Sequence, residues 1–167
     1  LYSSGNNTKY EKRIRLDAFF SFSRKEYRMR GEHFMEKKVS PVLEENIAYM
    51  QEIFGQDKTL KLHRFQPTSI GGLRCCIFFI DGLVDSIRIN ESMIQPINTL
   101  SVAPKDGVDP ALYLQQQVLQ VNETQLEMNF QNLLRSLLYG DTILFVDGSE
   151  QALILGSKGF AKRGIAE

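Results

Sequence analysis

Asp81, Asp85 and Glu91 follow the most apolar stretch of the chain, Cys75 to Ile80, at the strand end where open α/β sheets place their ligands. Three carboxylates in that position could gather around a cation or a ligand amine. Their spacing is not that of a calcium loop, and turn and cap duties account for Asp81 and Asp85 equally well. These three are the candidate ligand-binding residues.

Every other constellation lacks a member. His33 lies among bases and His63 at an exposed position of an expected strand, and the sequence holds 2 histidines in all. With no partner at metal spacing, neither reads as a zinc ligand or a triad base. The loops Ile70-Gly71-Gly72 and Gly156-Ser157-Lys158-Gly159 lack the spaced first glycine of a P-loop. Lys158, Lys162 and Arg163 form a small basic cluster that reads as solvated. No catalytic residue, metal or cofactor is expected, and the chain reads as a non-enzyme.

The elements that must hold any site follow from periodicity. Cys75 to Ile80 is apolar at every position, as in a central strand covered on both faces, and Asp81-Gly82 ends it. Leu60 to Phe65 alternates like a half-exposed strand. Before it, Ser40 as cap, Pro41 at the first helical position, and Glu44 and Glu45 near the positive dipole end predict a helix start. Leu43, Ile47, Met50 and Phe54 form its stripe, and Gly55 its stop.

After Asp85 the pattern is ambiguous: Asn90 could cap a short helix, whereas Pro96 would disturb a longer one. Ser101 to Asp109 reads as a loop. Asp109-Pro110 starts a helix with Ala111, Leu114, Val118 and Val121 on one face. Thr124 and Glu127 have capping-box spacing, which predicts a further helix from Gln125 with Leu126, Phe130, Leu133 and Leu137 as its stripe and Gly140 after it. Thr142 to Val146, a turn at Asp147-Gly148-Ser149, and Ala152 to Leu155 predict a hairpin. Phe79-Ile80-Asp81-Gly82 recurs as Phe145-Val146-Asp147-Gly148, which marks either two related strand-turn units or, the favoured reading, only the common way of leaving a central strand.

The expected fold class is α/β, with α+β as the alternative: a small mixed sheet of about four strands, from Leu60, Cys75, Thr142 and Ala152, flanked by helices from Pro41, Pro110 and Gln125.

Composition agrees. The chain has 167 residues, 43% apolar, with 20 bases and 20 acids, so one core can form without metal or disulfide. Between Lys9 and Lys38 stand 10 bases and 5 acids, whereas from Val39 onward 10 bases face 15 acids. This divides the chain into a basic arm or linker, residues 1–39, and a domain, 40–167, that allows two small lobes parting near 100–109. The arm carries Phe19, Phe20, Phe22, Tyr27 and Phe34 among its bases. It reads as linker or packing helix ahead of a membrane-surface segment, and without a groove-reading motif no nucleic-acid partner is expected.

No run approaches the roughly 20 apolar residues of a membrane helix, and Leu1 does not open a leader. The chain is therefore expected to be soluble as it stands. Cys75 and Cys76, adjacent on a strand, point to opposite faces and read as reduced core residues, which suits a cytosolic compartment.

Glu45-Asn46-Ile47, then Leu62-His63-Arg64-Phe65, then Phe79-Ile80-Asp81-Gly82-Leu83-Val84-Asp85, resemble in that order the opening of the GerA-type spore germinant receptor A subunits. Ile89-Asn90-Glu91 with Ile94 and Pro96 is similar to the family's next segment. Leu137-Leu138-Tyr139-Gly140-Asp141-Thr142 and the strand after it are similar to its leucine-leucine-x-glycine strand. Ala152 and Leu153, with Arg163-Gly164-Ile165-Ala166-Glu167, match the approach to its R-G-P signature.

The resemblance spans roughly Pro41 to Glu167 and implies the N-terminal domain of a subunit whose membrane portion follows. That subunit would reside in the spore inner membrane with this domain on the cytoplasmic, core-facing side. It implies B and C subunits as partners, self-association as a further option, and a germinant small molecule as the signal. The function so implied is germinant sensing, signal relay and receptor assembly. The alternative is a small-molecule-binding domain related to transport proteins, with its ligand near Asp81, Asp85 and Glu91. The resemblance supplies no catalytic residue to carry over.

Overall fold

The computed structural model describes residues 37–158. Most of the basic arm, Lys162, Arg163 and the C-terminal end of the resemblance lie outside the described residues. The chain divides between Lys37 and Lys38, and the fold is that of the second unit.

In chain order the elements are α1 (Leu43–Phe54), β1 (Leu60–Phe65), β2 (Cys75–Ile80), α2 (Ser86–Ile89), a π-helical turn (Asn90–Ile94), α3 (Gln95–Asn98), α4 (Pro110–Gln117), β3 (Thr124–Glu127), α5 (Phe130–Leu138), β4 (Thr142–Val146) and β5 (Ala152–Leu155). The strands form one 5-stranded sheet in the order β1-β2-β4-β5-β3. All its neighbours run antiparallel. A mixed α/β fold is confirmed. The strand added to the expected set is β3, and the sheet is antiparallel rather than mixed in direction.

Helices cover both faces, which is why the middle strands are apolar at successive positions. On one face, α1 packs on β2 and β4, and α5 packs across the sheet. There the Phe145 ring lies 5.9 Å from Phe78 and 5.6 Å from Phe130. The opposite face carries Cys75, Ile77, Leu144, Val146, Leu153 and Leu155 against Ile89, Met93, Ile97, Ala111 and Leu114. Alternation thus sends Cys75 and Cys76 to opposite layers as expected, and both are buried free thiols. Burial pushes each thiol up to about 12.

The helix expected from Gln125 starts later. Thr124 to Glu127 is a strand whose Leu126 pairs with Leu153 and joins the opposite core layer, so it could not share a stripe with Phe130. Asn129 is the cap, its side chain accepting from the Gln131 amide at 2.8 Å. Glu127 still serves this helix from outside, accepting from the Met128 and Asn129 amides and from Asn132. The capping-box spacing was a true local signal displaced by tertiary pairing.

Ser40 likewise does not cap α1, which begins at Leu43 with no capping side chain on its own N-cap residue, Val42. The helix expected to be broken by Pro96 instead runs from Ser86 to Asn98 through the π turn. There the Gln95 amide reaches back to the Asn90 carbonyl. Widening the turn just before a proline relieves its missing donor and the ring's clash with the preceding turn.

Candidate functional site

Three segments from distant parts of the sequence meet at one end of the sheet: residues 81–85 after β2, 139–142 before β4, and 156–158 after β5. The Asp85 amide donates to the Ser157 carbonyl at 2.8 Å, and Val84 bridges Lys158. Gly140, at φ +99, presses on the Leu83 carbonyl; a Cβ there would stand 3.1 Å from that oxygen and 3.4 Å from Lys158 Cγ. Only glycine meets both demands comfortably, the positive φ and the close backbone approach.

Beneath this junction, the Thr142 and Ser157 hydroxyls share a hydrogen bond of 2.6 Å, and Ser157 also donates to the Gly140 carbonyl at 3.1 Å. Both residues are fully buried. Their hydroxyls are therefore joints between strand ends, with no base in their hydrogen-bond sets to activate either one.

Asp141 stands beside them, with Lys158 Nζ 3.7 Å from its carboxylate. Burial raises the Asp141 carboxyl above its ordinary range; Lys158 offsets part of that and Glu123 adds to it. Glu123 also lies over Gly156: its carbonyl accepts from the Gly156 amide at 2.9 Å, and a Cβ at 156 would meet Glu123 Cβ at 2.9 Å. Two large apolar side chains flank this end in the open, Tyr139 at 62% and Ile87 at 67% exposure.

Of the expected ligand residues, Asp85 spends its carboxylate on α2, accepting from the Ile87 amide at 3.0 Å and the Arg88 amide at 3.3 Å. Asp81 is exposed, and its backbone amide closes the β1–β2 ladder onto the Thr59 carbonyl. Glu91 is exposed on the π turn. Among the described residues no three His, Cys, Asp or Glu side chains form a group able to hold a metal ion. Asp141 escaped sequence reasoning because its weight comes from burial, which a single aspartate after a glycine does not announce.

The opposite end of the sheet is a clamp. Asp147 Oδ1 accepts from the Leu43 amide at 3.0 Å and Oδ2 from Arg74 at 2.8 Å. Burial opposes ionisation of Asp147, but the Leu43 amide and the Arg74 guanidinium outweigh it and hold its carboxyl below the ordinary range.

A family model described as Bacillus/Clostridium GerA spore germination protein matches residues 48–167. Spore germination protein KA of Bacillus subtilis (strain 168) is 26% identical over 130 residues, covering 77% of this chain and 23% of that protein. The uncharacterized membrane protein YfkQ of the same organism is 27% identical over 132 residues, covering 79% and 25%. The chain thus spans about a quarter of the length of these curated relatives. Among solved structures, the N-terminal domain of the A subunit of the Bacillus megaterium spore germinant receptor GerK3 superposes with a TM-score of 0.57 at 24% identity, covering 75% of this chain and 50% of that one. That likeness establishes the fold.

Proposed function

This chain belongs to the Bacillus/Clostridium GerA spore germination protein family, and from that premise we propose that it is a docking domain of a germinant receptor subunit. It contributes to germinant sensing, signal relay and receptor assembly, and it makes no covalent chemistry of its own. Its partners are the receptor's B and C subunits. Its parent is held in the spore inner membrane, with the domain on the core-facing side and the basic arm, residues 1–39, preceding it. No described helix is long and apolar enough to cross a membrane.

The observation that carries this reading is the convergence of 81–85, 139–142 and 156–158. Two stretches that resemble the receptor family, 81–85 and 139–142, meet there through a close glycine contact, and 81–85 is tied to 156–158 by a backbone hydrogen bond, with Tyr139 and Ile87 exposed beside them. Such an end transmits displacement between strands and offers apolar side chains to a neighbour.

The test deletes residues 41–158 from the intact parent in sporulating cells. Spores should then fail to release dipicolinate on nutrient addition, while boiling frees the full store. A normal nutrient response would overturn the proposal. Tagged parent protein lacking this region should also lose its B and C subunits on purification.

A further inference from the structure

The two edges of the sheet are not alike. At β3 the outer side is partly covered: Gln115 Nε2 donates to the Thr124 hydroxyl at 3.2 Å and its carbonyl at 3.5 Å, and just past the strand the Val39 amide donates to the Met128 carbonyl at 2.8 Å. At β1 it is open. The Asp81 amide donates to the Thr59 carbonyl, and opposed residues that exchange such bonds alternate along an antiparallel ladder. In the register Leu60↔Ile80 to Phe65↔Cys75, that alternation turns the N–H and C=O groups of Leu60, Leu62 and Arg64 away from β2. Among the described residues none of these outward groups has a hydrogen-bond partner. A six-residue edge of unbroken register, without proline or bulge, is a ready template for another strand.

Side chains specify the chemistry of that strand. Lys61 and His63 are exposed and share one face of β1, while half-buried Leu60 and Leu62 share the other with Arg64. Arg64 is already paired with Glu44. Lys61 makes no ion pair among the described residues. A second copy is a poorer match: only the outward groups of Leu60, Leu62 and Arg64 can bond it, so antiparallel self-pairing about Leu62 sets Lys61 against His63 and Leu60 against Arg64 and offers Lys61 no carboxylate. A strand with carboxylates at alternate positions meets Lys61 and His63, and apolar residues between them cover Leu60 and Leu62.

We propose that β1 is a docking edge that takes an extended segment of a partner protein, alternating acidic and apolar residues, as a sixth strand of the sheet.

The test uses the full 167-residue chain and a fluorescein-labelled peptide, Thr-Val-Glu-Val-Glu-Val-Thr, read by anisotropy. The peptide should bind, and a version with lysine in place of both glutamates should bind at least about tenfold more weakly. Lys61→Glu should reverse that preference. Leu62→Pro removes only an outward N–H and should abolish binding while the circular dichroism stays native. If that variant does not fold, hydrogen exchange of the unsubstituted chain decides: the Leu62 and Arg64 amides should gain protection when peptide is added. Absence of peptide binding, unchanged exchange at those amides, or a dimer of the chain that Leu62→Pro dissolves would each overturn the proposal.

Discussion

The carboxylate of Asp147, in the β4–β5 turn, accepts a hydrogen bond at 3.0 Å from the amide of Leu43, 104 residues earlier in the chain. Two residues further on, the Ser149 hydroxyl donates to both oxygens of Asp109, at 2.9 and 2.8 Å, and Asp109 caps α4 through the Leu112 amide. One turn thereby fixes the first turns of two helices that lie on opposite faces of the sheet. Val42 supplies no cap of its own, so the long-range carboxylate does the work that a local serine, threonine or aspartate ordinarily does.

Replacing Asp147 by alanine should therefore cost about 1–2 kcal/mol, the scale of a lost N-cap with its ion pair half-exposed. Because the folded carboxyl lies below its unfolded value, its contribution is present above about pH 3.9 and is lost as pH falls through the folded value. Urea unfolding should show the two chains well separated at neutral pH and converging in acid.

Asp141 should give the opposite sign. Burial raises its folded carboxyl, so the folded form binds its proton more tightly than the unfolded chain, and stability falls as pH rises from the ordinary value through the raised one. Asp141→Asn lacks that fall. The stability of the variant relative to the unsubstituted chain should improve as pH rises from about 3.9 through the raised folded value and level off above it, in matched urea titrations.

Gly140→Ala tests the junction between the family-like segments. The new Cβ would sit 3.1 Å from the Leu83 carbonyl at a φ of +99, and neither the backbone oxygen nor the left-handed conformation can yield cheaply. A loss of about 1–3 kcal/mol is expected. In the receptor subunit proposed as this chain's parent, the same change should blunt the nutrient response before it affects protein abundance.

The thiols offer a test of the core. With both groups pushed up to about 12 and buried on either side of β2, Cys75 and Cys76 should react with Ellman's reagent at pH 8 about a hundredfold or more slowly than an exposed thiol. In concentrated guanidinium, 2 thiols per chain should react at once. Fast reaction of one thiol in the native chain would mean that its face of the sheet is uncovered.

Strand and hairpin positions were legible because their cause is local. Cys75 to Ile80 and Ile143 to Val146 are apolar without interruption, and Asp147-Gly148 supplies a turn with Gly148 at φ +87. Asp109-Pro110 likewise starts α4 with its own side chain. What misled was a local signal overruled from afar: Thr124 to Glu127 has a helix cap's spacing but lies beside β5. At the site, the two segments containing Asp81–Asp85 and Gly140–Thr142 were visible as pieces. Their meeting was not, since it depends on the Asp85 to Ser157 and Gly140 to Leu83 contacts, which no spacing encodes.

Asn46 shows how a residue in the family-like set can be structural. It is buried to 1% exposure on α1, where its Oδ1 accepts from the Ser40 amide at 2.8 Å and its Nδ2 donates to the Ser40 carbonyl at 2.7 Å. The pair locks the chain where it enters the helix. Alanine leaves both Ser40 groups without partners in a part-buried position, a cost of about 1–3 kcal/mol. Aspartate is the sharper test, because it keeps the acceptor but sets an ionised oxygen against the Ser40 carbonyl. That repulsion raises the folded carboxyl above about 3.9, so the penalty is full above the raised value and is relieved as pH falls and a proton restores the donor. Urea titrations of Asn46→Asp should show a deficit at pH 7 comparable to alanine's that shrinks toward pH 4, while the deficit of Asn46→Ala stays flat. Parallel pH profiles for the two variants would mean that the Nδ2 bond to Ser40 contributes little.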